Sequence, residues 1–200
     1  MDTHSSTEND ESPIPLTLYS IGHSNHSLDE FLELLTAFHI KTLVDIRSYP
    51  YSTKMTQFDM EYLEHQLLQH DITYHWFKDL GGFRKGLGEG SPNFGLKDEG
   101  MRAYADYMLS EEFHHATGRL ITMAHLRRTV MMCAEKDPMR CHRHLLSDYL
   151  LIHGAEVIHI ITLATQHHHG LSQGTCVTGG CRLSYPYPED GQSTLFAMDN

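Results

Sequence analysis

The segment CAEKDPMRCHR at residues 133–143 brings cysteines, a histidine, carboxylates and arginines close together in sequence. Cys141 precedes an apolar run that predicts a helix, and the unpaired N–H groups at a helix N-terminus stabilise a thiolate. His142 and Arg143 add positive charge beside it. We expect Cys141 to act as a nucleophile or, together with His142, as a metal ligand. The alternative is a buried residue at a helix start that carries no chemistry.

Two further residues could move protons. Glu135 follows a buried apolar run, where a carboxylate suits general acid–base catalysis, although a salt bridge to Arg143 or Arg47 explains it equally well. His23 follows the first apolar run and is a candidate general base. Alternatively, His23 is a metal ligand or a loop histidine that is hydrogen-bonded to the backbone. Cys133 is predicted to be a packing residue, because free cysteines are among the most buried side chains.

Several polar residues could bind an anionic group. Asp45 and Arg47 alternate along one apolar run, so their side chains share a face and could form a structural ion pair. The guanidinium fork of such a pair could also hold an anionic substrate. The predicted substrate-binding residues are Ser24, Asp45, Arg47, Arg84 and Arg143.

Apolar runs that predict strands alternate with amphipathic segments that predict helices. The strands are predicted at 17–22, 41–47, 72–77, 128–135 and 156–162, and the helices at 28–39, 59–70, 101–109, 111–126 and 141–154. This order is typical of parallel strands joined by helical crossovers. We predict a three-layer, Rossmann-like α/β fold with a mostly parallel five-stranded sheet and helices on both faces.

The candidate residues follow the predicted strands. In open parallel sheets the ligand crevice lies outside the carboxyl ends of the strands. We therefore expect the candidate residues to meet at that edge of the sheet.

The chain is predicted to contain one domain, over residues 17–162. Residues 1–16 are polar and acidic and predict a disordered lead, whereas residues 163–200 are rich in Gly, His, Ser and Pro and predict an irregular tail. The glycine-rich stretch at 80–100 predicts a long mobile loop beside the third strand.

Composition limits the classes of function. The formal net charge of −11 argues against a broad surface for duplex nucleic acid, because phosphate neutralisation needs Lys and Arg. No apolar run is long enough to span a bilayer and the first residues lack a signal-peptide core, so a cytoplasmic protein with reduced thiols is expected. We predict no membrane contact.

The sequence contains no motif that identifies a cofactor. The glycine-rich stretch lacks the strand–GxGxxG–helix context of a dinucleotide site, and no Walker A motif is present, so no NAD or ATP motif is found. Cysteine, histidine and glutamate side chains in 133–142 are compatible with a divalent metal, Zn²⁺ or iron.

Five segments taken together resemble the DUF488 family, a family of unassigned function. They read YSIGHSNHSLDEFLELL, LVDIRSYPYS, ITYHWFKDLGGFRKG, MCAEKDPMRCHRHLL and GAEVIHI, and they follow in consistent order over residues 17–162. The resemblance implies a fold class and a site but no reaction. The positions that it marks are Gly22, His23, Ser24, Asp45, Arg47, Pro50, Ser52, Gly81, Gly82, Cys133, Glu135, Cys141, His142 and Arg143.

Three functions fit these observations. The first is an enzyme, a hydrolase or transferase, that acts on a small anionic substrate such as a nucleotide or a phosphorylated metabolite. The second is a metal-binding or thiol redox protein without turnover. The third is a module that binds a ligand or single-stranded nucleic acid, with aromatic side chains stacking on bases.

Overall fold

The computed structural model describes residues 16–187. The helices are α1 (Leu28–Ala37), α2 (Met60–Leu68), α3 (Glu99–Tyr107), α4 (Glu111–Leu126) and α5 (Arg143–Ile152). The strands are β1 (Leu16–Gly22), β2 (Thr42–Asp45), β3 (Thr73–Trp76), β4 (Thr129–Cys133), β5 (Ala155–Thr162), β6 (Thr165–His168), β7 (Cys176–Thr178) and β8 (Arg182–Ser184). The predicted disordered lead lies outside the described residues, except for Leu16.

A mostly parallel sheet with the strand order β3-β2-β4-β1-β5-β6 forms the middle layer. Strands β1 to β5 pair in parallel, and β6 pairs with β5 in the antiparallel direction. The three-layer α/β prediction is therefore confirmed, but the sheet has six strands and not five.

The sixth strand corrects the prediction of an irregular tail. Residues 165–168 read TQHH and are exposed, so they lack the hydrophobic alternation that marks a half-buried strand. Strand β6 forms through backbone pairing with β5 at the sheet edge. Strands β7 and β8 form a separate antiparallel pair in the same region.

Helices cover both faces of the sheet because each helix has one apolar face. Phe31 and Leu35 of α1 pack with Leu63 of α2 on one face. Phe113 of α4 packs with Leu145 of α5 in the core on the opposite face. Helix α1 begins with a capping box in which Ser27 and Glu30 satisfy each other's backbone N–H groups.

Hydrogen bonds hold the glycine-rich stretch at residues 80–100 in place, although the sequence predicts a mobile loop there. The buried Asp106 carboxylate of α3 accepts hydrogen bonds from Leu87 N, Ser91 Oγ and Asn93 Nδ2. From the far end of the chain, Tyr185 N donates to Asn93 Oδ1. These contacts lie 13 to 92 residues apart in sequence, so no local pattern reveals them.

Candidate functional site

The carboxyl ends of β1, β2 and β4 meet at one edge of the sheet, as predicted. Gly22 ends β1 opposite Cys133, and Asp45 ends β2 opposite Met132. A Cβ atom at Gly22 would lie 1.9 Å from the carbonyl oxygen of Glu135, so glycine is required where this loop passes over the strand end.

A cavity of about 550 Å³ opens at this edge. Its floor contains Cys133, Cys141 and His142, and its walls include Tyr49, Phe83, Leu96, Met101 and Met139. The charged residues of the lining are Arg47, Lys97, Asp98, Glu135 and Arg140. The cavity thus combines apolar walls with a polar, sulfur-containing floor.

Two sulfur atoms and one imidazole nitrogen converge on the cavity floor. His142 Nδ1 lies 3.6 Å from Cys141 Sγ and 4.0 Å from Cys133 Sγ. All three atoms lie within 4.8 Å of one another. Cys133, which the sequence predicts to be a packing residue, therefore belongs to the same cluster as Cys141.

The backbone fixes the orientation of the His142 ring. Its Nε2 atom lies 3.2 Å from the carbonyl oxygen of Ile46, which can only accept, so Nε2 carries a proton and donates it. In the neutral ring Nδ1 then presents its lone pair to the two sulfur atoms. The ring also packs against Tyr104, with the ring centroids 4.9 Å apart.

Arg143 lies beneath the cluster as a buried cation with a relative exposure of 1%. Its Nε donates to Cys141 Sγ at 3.4 Å and its Nη1 to Ser20 Oγ at 3.1 Å. Its Nη2 donates to the carbonyl oxygens of Glu135 and Lys136. Within residues 16–187, no carboxylate forms a salt bridge with this guanidinium. A buried charge needs a partner, and the Cys141 sulfur is the one contact that can become an anion.

The two thiols of the cluster differ in acidity. Burial opposes ionisation of Cys141, but the hydrogen bond from Cys133 and the positive charge of Arg143 act in the other direction, and the pKa of Cys141 lies well below its usual range. The hydrogen bond to Cys141, together with burial, raises the pKa of Cys133 well above its usual range. Cys133 therefore supplies the proton that stabilises the Cys141 thiolate.

Asp45 and Arg47 form a second buried charged group, beside the cavity. Arg47 donates from Nε and Nη2 to the Asp45 carboxylate, at 3.0 and 2.5 Å, and from Nη2 to the carbonyl oxygen of Phe58 at 2.8 Å. The Tyr74 hydroxyl also donates to Asp45, at 2.7 Å. The Arg47 fork is thus occupied by protein groups and leaves only Nη1 facing His23. Of the two possibilities for this pair, the structure forms the ion pair.

His23 connects the two charged groups. Its ring stacks on Phe58 with the centroids 4.3 Å apart, and its Nε2 lies 3.3 Å from Arg47 Nη1. Burial and the Arg47 charge lower the pKa of His23 from 6.5 to about 4, so the ring is neutral at physiological pH. A neutral Nε2 that accepts from Arg47 has no free lone pair for a substrate. The structure therefore favours the backbone-bound loop histidine, since Nδ1 lies 3.0 Å from Ser24 O.

The remaining predicted residues are divided between the cavity and its surroundings. Glu135 lines the cavity and accepts a hydrogen bond from Asp137 N; in the described part of the chain it forms no salt bridge with Arg143 or Arg47. Arg84 donates to the carbonyl oxygens of Gly81 and Lys78 and stacks on Tyr107, away from the lining. The Ser24 hydroxyl donates to Asn25 and also lies outside the lining.

Sequence reasoning missed a buried polar network behind Arg143. Asp148 Oδ1 accepts from His169 Nε2 at 2.9 Å, so with neutral rings His169 Nδ1 accepts from His159 Nε2, at 3.0 Å. His159 Nδ1 then accepts from Ser20 Oγ at 3.0 Å, and Ser20 retains lone pairs for Arg143. A serine and a histidine at buried positions of otherwise apolar strands, Ser20 and His159, were the available signal.

Comparison with family models identifies the fold family. The model described as Domain of unknown function DUF488 matches residues 27–150, which is more than half of the chain. The chain belongs to the DUF488 family. Searches of the curated proteins and of the solved structures return no match. No helix in the described part of this DUF488 protein is long and apolar enough to cross a membrane.

Proposed function

We propose that this DUF488 protein is an enzyme, a hydrolase or transferase, that binds a small anionic substrate in the cavity and acts on it at the Cys141 thiolate. One observation carries the proposal. Among the described residues 16–187, the Cys141 sulfur is the one ionisable hydrogen-bond partner of the buried Arg143 guanidinium, which favours a negative sulfur at the floor of the cavity.

The cavity is large enough for a small metabolite. Its volume of about 550 Å³ is within the range of small-molecule sites. Apolar side chains of the wall would exclude water from a bound substrate, and this strengthens electrostatic interactions inside the cavity.

Two exposed cations of the lining, Lys97 and Arg140, would bind the anionic group. They replace Arg47, Arg84 and Arg143 in this role, because those three guanidinium groups are already engaged with protein atoms. Arg140 and Cys141 both line the cavity, so an anion bound to the Arg140 guanidinium would share this space with the reactive sulfur.

Two roles are open to the thiolate: it can attack the substrate itself, or it can hold a metal ion that polarises the substrate. Glu135 lies on the same lining and would serve as the general acid or base in either case. His23 would position Arg47 and the loop after β1 and would not exchange protons with substrate.

Alkylation with a neutral and an anionic reagent tests the proposal without a known substrate. The measured quantity is the rate of alkylation by iodoacetate divided by the rate of alkylation by iodoacetamide. In protein freed of metal by a chelator, this ratio should be higher for Cys141 than for the thiol of glutathione. The ratio of the two rates should fall several-fold in Lys97→Gln and Arg140→Gln. The exposed Arg127, which lies outside the lining, provides the control variant Arg127→Gln, which should leave the ratio unchanged.

Peptide mapping by mass spectrometry identifies the labelled cysteine. A Cys141 that reacts no faster than the exposed Cys176 and Cys181 would contradict the reactive thiolate. A ratio equal to that of glutathione would contradict the anionic substrate.

A further inference from the structure

The atoms of the cavity floor match the dimensions of a zinc site. With Zn–S bonds of about 2.3 Å and Zn–N bonds of about 2.0–2.1 Å, a tetrahedral ion separates a bound sulfur from a bound nitrogen by about 3.6 Å. His142 Nδ1 lies 3.6 Å from Cys141 Sγ and 4.0 Å from Cys133 Sγ. We propose that Cys133, Cys141 and His142 bind one zinc ion whose fourth position opens into the cavity.

The groups around the three donors have the geometry of a second coordination shell. Metal-binding histidines commonly donate their other N–H to a carbonyl or carboxylate, and His142 Nε2 donates to Ile46 O. Arg143 Nε donates to Cys141 Sγ, which supports a sulfur that carries negative charge. The proposed ligands are thus oriented by the protein before an ion arrives.

Gly82 leaves room for the His142 ring. A Cβ atom at this position would lie 2.6 Å from His142 Nδ1 and 3.0 Å from its Cγ. Any other residue at position 82 would therefore press against the imidazole and displace the nitrogen donor.

The number of donors indicates a catalytic type of site. Structural zinc sites usually have four protein ligands, whereas catalytic sites have three and leave one position for water or substrate. Within residues 16–187, the cluster of candidate ligands contains three residues. Two thiolates would balance the ion, so the Arg143 charge would remain in excess and favour an anion at the open position.

This inference rests on the proposed function for the nature of the bound substrate, and it assigns the thiolate the role of ligand. Zinc would act as the Lewis acid for a water molecule or for the anionic group of the substrate. Glu135 on the cavity lining would accept the proton of that water.

Metal content of the full, untagged chain tests the site. We expect one equivalent of zinc in the purified protein and strong sulfur-to-metal absorption after replacement by Co²⁺. Cys133→Ser, Cys141→Ser and His142→Gln should each lower zinc affinity at least tenfold. Cys176→Ser and Cys181→Ser change exposed cysteines of the same chain and should leave it unchanged.

A glycine pair separates a local effect on the site from a loss of fold. Gly82→Ala should weaken zinc binding, whereas Gly90→Ala, where no atom lies within 4 Å of the added Cβ, should leave zinc binding unchanged. Circular dichroism checks that each variant is folded. Weak Co²⁺ absorption without a sulfur band, or zinc that is lost only in the Cys176 and Cys181 variants, would overturn the proposed site.

The two proposals fail in different ways. Absence of bound zinc combined with fast, iodoacetate-preferring alkylation of Cys141 would overturn the zinc site and leave an attacking thiolate. Bound zinc would support the zinc site. If the ratio of alkylation rates at Cys141 in the metal-free protein then equals that of glutathione, the anionic substrate would be overturned.

Discussion

The structure buries two arginines at one edge of the sheet, and they are neutralised in different ways. Arg47 has a carboxylate partner two residues before it in sequence, and its exposure is 5%. Arg143, with an exposure of 1%, contacts carbonyl groups, a hydroxyl group and a sulfur. The first charge is satisfied by the fold alone. Among the contacts of the second charge within residues 16–187, the Cys141 sulfur is the one that can become an anion, so the Arg143 charge favours a thiolate at this position.

Removing the carboxylate at the Arg47 site should have the largest effect on stability. Asp45→Asn would leave a buried guanidinium without its counter-ion, and the loss of one partner of a buried ion pair typically costs about 3–5 kcal/mol. We expect a fall of this size in the free energy of unfolding, measured by urea denaturation. The exposed Glu33→Gln on α1 is the control, and equal stability of the two variants would contradict the structural role of Asp45.

Acid should destabilise the Arg47 site through His23. Because the pKa of His23 is lowered from 6.5 to about 4 in the folded protein, the unfolded chain binds more protons between these values, and stability falls as the pH falls through this window. The shift corresponds to roughly 3 kcal/mol. Above pH 6.5 the contribution of neutral His23 to the stability of the folded protein is fully present.

A thermal-unfolding series from pH 7.5 to pH 4 measures this effect. His23→Gln should flatten the dependence of the melting temperature on pH between 6.5 and 4, and His115→Gln, at an exposed position of α4, should not. Parallel curves for the two variants would show that His23 is not the titrating group.

Cys141 and Arg143 should be coupled in their effects on the free energy of unfolding. In protein freed of metal, Cys141→Ala and Arg143→Met each remove one member of a thiolate–guanidinium pair, and the double variant removes both. We expect a coupling of about 1–3 kcal/mol in a double-mutant cycle of unfolding free energies. Additive effects would show that Cys141 is not the counter-ion of Arg143.

Glu135 should show the smallest effect on stability and a clear effect on activity. Its carboxylate is exposed and accepts one backbone hydrogen bond, so Glu135→Gln should change the unfolding free energy by less than about 0.5 kcal/mol. Turnover of a substrate, once found, should fall at least a hundredfold, since general acid–base groups contribute about 10²–10⁴ in rate. Unchanged turnover would remove Glu135 from the proposed chemistry.

The sequence predicts the five parallel strands and the helices because their hydrophobic periodicity is local. It also predicts that residues 22–24, 45–47 and 133–143 approach one another, because parallel strands end at one edge. It does not predict the partners of Arg143, since Ser20 lies 123 residues away in sequence. Strand β6 was missed because backbone pairing at an exposed edge leaves no pattern in side-chain polarity.

The link between Tyr185 and Asn93 has a consequence for folding during synthesis. Asn93 lies just before Leu96 and Lys97 in the cavity wall, and its side-chain oxygen accepts from Tyr185 N across 92 residues of chain. Translation delivers the strands first, and domains can begin to fold before the chain is complete. A ribosome-bound chain that ends before Tyr185 would therefore have the sulfur cluster beside an incomplete cavity wall, and the bond to Asn93 would form only when Tyr185 has left the ribosome.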